Sequence, residues 1–73
     1  MGNEQLDTAK LRVLLPHWIE HNSEHAAEFR SWAEKAGAAG AHIQEAASLL
    51  ENVNRALEAA LKQLGESGEV DLR

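Results

Sequence analysis

The chain reads as an all-α protein, an antiparallel helical hairpin with a short or kinked segment ahead of its first long helix. Three observations predict this. Strand signals are missing: there is no Tyr and a single Phe, and no alternating apolar run occurs. Ala, Leu, Glu, Lys and Gln dominate, and all are strong helix formers. Two amphipathic stretches flank Gly37-Ala38-Ala39-Gly40, a junction short enough to join antiparallel neighbours.

The first segment is expected over about residues 4–15, capped by Asn3 or Asp7 and carrying Leu11, Val13, Leu14 and Leu15. Pro16 has no amide proton and crowds the preceding turn, so it kinks the helix or opens a new one. The stripe Leu11, Leu14/Leu15, Trp18 passes through Pro16 in phase, which favours a kink or short break. The first long helix then covers about residues 16–36, with Gly37 as a left-handed cap. The second covers about residues 41–64, on the order of 35 Å in length. Residues 1–64 thus form one helical domain, and 65–73, with two glycines and four charges, form a flexible tail.

A step of about 100° per residue collects one inward face on each helix. On the first it gathers Leu11, Leu14, Leu15, Trp18, Asn22, His25, Ala26, Phe29, Trp32, Ala33 and Ala36. On the second it gathers Ile43, Ala46, Ala47, Leu50, Asn54, Leu57, Leu61 and Leu64. Trp18, Phe29, Trp32, Leu50 and Leu57 supply the bulk of the expected core. Two helices leave much of such a stripe wet, so a covering N-terminal segment or pairing into a four-helix bundle is expected, with a homodimer as the leading assembly. Folding about Ala38/Ala39 sets Asn22 roughly opposite Arg55, which brings Asn22, His25 and Asn54 into one polar layer halfway along. Such a layer fixes register and partner number, as core Asn does in coiled coils; a ligand or metal site is the sharper alternative.

Composition narrows the function classes. A net charge of −5, from 7 Lys+Arg against 12 Asp+Glu, repels phosphate backbones and anionic membranes. No cysteine is present, so disulfides and thiolate metal sites are out, and the chain fits a reducing cytoplasm. Met1 to Lys10 is polar and acidic, without the apolar run of a signal peptide or membrane span. Neither a nucleophile motif nor a phosphate-binding glycine loop occurs, so a non-enzymatic role is expected. Ser23, Ser31, Ser48 and Ser67 carry no such motif.

The most unusual stretch is His17-Trp18-Ile19-Glu20-His21-Asn22-Ser23-Glu24-His25, which holds H-x-x-E-H twice, overlapping at His21. Residues four apart share a helix face, so two imidazoles can reach one cation. Inverted zinc proteases use this spacing, but they need a third ligand and a cleft that a chain this short does not build. His17 and His25 lie about 12 Å apart along the axis and cannot share an ion within one helix. A site would use His17/His21 or His21/His25 with a carboxylate such as Glu24 or Glu28, or a side chain from a second hairpin. Zinc, nickel, cobalt or iron would suit it. The plainer reading is exposed His–Glu surface chemistry on an acidic flank. A di-iron carboxylate bundle needs Glu-x-x-His, and no histidine here is preceded by that pattern; Asn22 stands three before His25. His42 lies too far from the ladder to join it.

Leu15-Pro16-His17-Trp18-Ile19-Glu20-His21-Asn22, followed by Glu24-His25-Ala26, Phe29 and Trp32-Ala33, resembles a small bacterial and archaeal helical domain family of uncharacterised function. That family shows L-P-H-W-I-E-H-N-x-E-H-A-x-x-F-x-x-W-A and then a less distinctive amphipathic helix, and the resemblance runs from Leu11 to Leu64. It implies a hairpin and a prokaryotic origin, and no activity. Two functions are therefore expected: an interaction or oligomerisation module, which self-associates or docks a partner helix, and alternatively a metal-binding accessory protein using His17, His21 and His25. A pH response through a buried His25 is a further expectation.

Overall fold

A computed structural model describes residues 2–69, with side chains from 6 to 65. Two helices form an antiparallel hairpin: α1, Gly2–Ala33, and α2, Gly40–Glu69, joined through a 3-10 turn at Gly37–Ala39. The molecule is a plate of 52 × 21 × 15 Å. Its thickness is that of one helix layer with its side chains.

The break expected at Pro16 is corrected. Helix α1 runs unbroken through Pro16, which is exposed and breaks no contact with α2. Leu15 and Ile19 face inward on either side of it, so α1 packs against α2 both before and after the proline. Asp7 lies inside α1 and is not its cap. The flexible tail is corrected in part: α2 continues past Gly65 to Glu69, and residues 70–73 lie outside the described residues.

Inward positions on α1 are Leu15, Ile19, Asn22, Ala26, Phe29 and Ala33; on α2 they are Gly40, Ile43, Ala47, Leu50, Asn54, Leu57, Leu61 and Leu64. The steps alternate between three and four, the 3.5-residue period of a coiled-coil seam. Asn22 bonds Asn54, and the Arg12 guanidinium donates to the Leu64 carbonyl at 3.2 Å. That register sets Ala26 level with Leu50, Phe29 with Ala47, and Ala33 with Ile43, a large residue against a small one each time.

Ala26, Ala33 and Ala47 are 3%, 6% and 0% exposed. Alanine at these levels lets the two backbones approach closely and leaves no space for an indole between the axes. Trp18 and Trp32, expected in the core, therefore stand outside the seam, 41% and 59% exposed, and Leu14 joins them. Phe29, Leu50 and Leu57 are half-buried, as core residues of a hairpin open on its flanks.

The turn depends on two glycines. Helix α1 ends three residues earlier than expected, with Lys35 and Ala36 amides closing on the Trp32 and Ala33 carbonyls. Gly37 then takes φ +59°, the left-handed conformation anticipated for it. Gly40 is buried at the start of α2, and a β-carbon there would stand 2.4 Å from the Ala33 carbonyl oxygen. Gly40→Ala must push the two helices apart at their closest approach, and it should lower stability by about 2–3 kcal/mol. Gly65→Ala should do the opposite, because its β-carbon meets nothing within 4 Å inside a helix. The gain expected there is about 0.5–1 kcal/mol. Urea midpoints of the two variants should fall on opposite sides of the parent.

Candidate functional site

Two polar features lie halfway along the hairpin, one inside the seam and one beside it. Inside, Asn54 is 7% exposed and uses most of its hydrogen-bonding capacity. Its Oδ1 accepts from Asn22 Nδ2 at 3.0 Å. Its own Nδ2 donates to the Ile19 carbonyl at 3.1 Å and to Ser23 Oγ at 3.0 Å. Asn22 and Asn54 thus meet as the spacing predicted, one residue out of the expected register.

His25 does not join this layer. It is exposed, so the expectation of a buried histidine is corrected. The 3.5-residue seam passes through Asn22 and Ala26 and leaves residue 25 on the flank. Ser23 takes the third place instead. Its signal was its position next to Asn22 and four residues after Ile19, which puts its hydroxyl beside any polar group reaching α1 from the opposite helix.

The histidines form an exposed column. His17 and His21 stack with ring centroids 6.2 Å apart, and His21 meets His25 edge to face at 4.5 Å. The Nε2 atoms of His21 and His25 approach to 3.0 Å. His25 Nδ1 faces the Glu28 carboxylate at 3.5 Å, and its ring lies 6.1 Å from that of Phe29. His17, Glu20, His21 and Glu24 line a shallow polar recess of about 170 Å³. Among the described residues no three His, Asp or Glu side chains come together as a metal site, so the expected set of His17, His21, His25 and Glu24 is not assembled within one chain. His42 stands apart, lining a groove near the turn.

The two flanks of the hairpin differ in character. On one, Arg30 joins α1 to α2 through Gln44 at 2.9 Å and Glu51 at 2.8 Å. On the other, Phe29, Trp32, His42, Ile43 and Ala46 line an apolar groove of about 400 Å³. Trp18 and Trp32 lie two heptads apart on this side of α1, and Leu49 and Val53 lie on the same side of α2, all well exposed. A second apolar groove, of about 410 Å³, follows Leu6, Ala9, Val13 and Leu14 on α1.

No helix among the described residues is long and apolar enough to cross a membrane. The family described as a domain of unknown function (DUF8180) has a model that matches residues 11–64, which take in most of α1, the turn and most of α2. Neither the curated proteins nor the solved structures contain a match to the chain.

Proposed function

We propose that this chain, which belongs to the family of the domain of unknown function DUF8180, is a non-catalytic oligomerisation module whose hairpin pairs with a second copy as a four-helix bundle. The observation that carries this is the apolar flank of Trp18, Trp32, Leu49 and Val53. Stable domains bury the apolar face of each layer against another layer, and the hairpin is one layer only. Among the described residues four apolar side chains are buried, three of them alanines, while two tryptophans, Leu49 and Val53 stay in water.

Area gives the scale of the missing partner. The chain exposes 5510 Å². A compact monomer of its 8.0 kDa mass would expose about 4,450 Å². The excess, about 1,000 Å² per chain, is close to the ~800 Å² that each side of a standard interface buries. The radius of gyration tells the same story: 16.5 Å against about 11 Å for a compact domain of this length. A two-fold pair sets each apolar flank on its copy and leaves the Arg30–Glu51 flanks in water, so one patch serves both chains.

Sedimentation equilibrium at about 100 μM is expected to give twice the 8.0 kDa chain mass. Because both tryptophans lie on the apolar flank, their emission should shift to the blue as concentration rises through the dissociation constant. A chain that stays at 8.0 kDa, with emission independent of concentration, would overturn the reading.

A further inference from the structure

The geometry points to a bidentate transition-metal site at His21 and His25, in which both Nε2 atoms bind one divalent ion. This goes beyond the pairing of hairpins and does not rest on it. Three features single out this pair from the ladder. First, the two Nε2 atoms already converge to 3.0 Å. At metal–nitrogen bonds of about 2.05 Å, a 90° coordination angle sets the nitrogens about 2.9 Å apart and a tetrahedral angle about 3.4 Å. The observed separation lies within a few tenths of an ångström of both values, and imidazole pairs of this kind suit nickel(II) and copper(II).

Second, His25 has an orienting partner. The Glu28 carboxylate faces Nδ1 and favours the tautomer that carries its proton there. That leaves the Nε2 lone pair of His25 directed at His21. A carboxylate behind a ligand histidine is the usual outer partner of metal-bound imidazole. In the metal-free pair His21 Nε2–H then donates to His25 Nε2. When an ion binds, the His21 proton resides on Nδ1, and both Nε2 lone pairs turn to the metal. Third, the ring of Phe29 flanks His25 and limits its swing, whereas His17 only stacks on His21, with the rings 23° from parallel. In the single chain the remaining coordination positions open to solvent; His25 stands midway between Trp18 and Trp32, on the flank that pairing of hairpins would cover.

Nickel(II) titrated calorimetrically into the untagged full chain tests this. His21→Ala and His25→Ala should each weaken nickel binding at least tenfold, while His17→Ala and His42→Ala stay within twofold of the parent. Glu28→Gln should weaken it by less than either histidine change. All four histidines are exposed in the single chain, so at a concentration below that at which hairpins pair, helicity by circular dichroism should be unaltered throughout. Saturating nickel should also raise the thermal midpoint of the parent and not that of the His25→Ala chain. Equal heats in the parent, His21→Ala and His25→Ala chains would overturn the site. So would a His17→Ala loss as large as that of His25→Ala, which would place the ion on the upper pair.

Discussion

A Trp18→Glu/Val53→Glu chain is expected to sediment as a monomer of 8.0 kDa at concentrations where the parent runs at twice that mass. Both side chains stand outside the seam, 41% and 45% exposed, so the changes leave the Asn22–Asn54 layer and the alanine contacts as they are. In a two-fold pair they would set four carboxylates into one apolar interface. Each charge taken out of water costs several kcal/mol without a partner. Even about 3 kcal/mol in total would weaken the pair more than a hundredfold. Ala27→Glu, exposed on the other side of α1, should keep the doubled mass. If the double variant still pairs, the apolar flank is not the interface. A second expected consequence is a helical signal that falls on dilution for the double variant sooner than for the parent, since a two-helix layer alone buries little.

The hairpin itself was legible because the turn and α2 carry unambiguous signals. Gly37 and Gly40 bracket the reversal, and the inward positions of α2 are apolar except for Asn54, with charges on its outer face. Helix α1 was harder, and the reason is physical. It has apolar residues on two faces, one for the seam with α2 and one for the exposed flank. Leu14, Trp18 and Trp32 belong to the second, yet a 3.6-residue period merges both faces into a single wide stripe that also takes in His25. Only the narrower 3.5-residue seam separates them, and it becomes visible once alanines 26, 33 and 47 are recognised as points of close approach. Pro16 misled for a related reason. A proline on a solvent-facing position costs a hydrogen bond, but it does not break a helix that packs along a partner on both sides. Side-chain orientation in the histidine column was beyond sequence reasoning. Spacing allowed His17/His21 and His21/His25 equally, and it could not show that Glu28 and Phe29 lie beside His25.

The Asn22–Asn54 layer should show the largest coupling in the molecule. Asn54→Leu alone removes the acceptor of Asn22 and the donor to Ser23, and it sets a leucine against a polar amide. An unmet buried amide and the misfit together should cost about 2–3 kcal/mol, read as a lower urea midpoint. Adding Asn22→Leu should recover most of that loss, or exceed the parent, because the layer then continues the apolar seam between Ile19–Leu57 and Ala26–Leu50. Replacing both members of a buried polar pair by apolar residues is often neutral or stabilising, whereas removing one is not. What the double variant should lose is selectivity. With the asparagines present, α1 slid along α2 by a heptad sets each amide against an apolar residue, so only one register of α1 against α2 satisfies both. With two leucines the slid registers become comparable, and sedimentation should show species heavier than a dimer, as when a core Asn is removed from a coiled coil. A double variant that has a single defined mass and a stability loss equal to the sum of the single changes would mean the two amides act independently, and the layer would not be what selects the pairing.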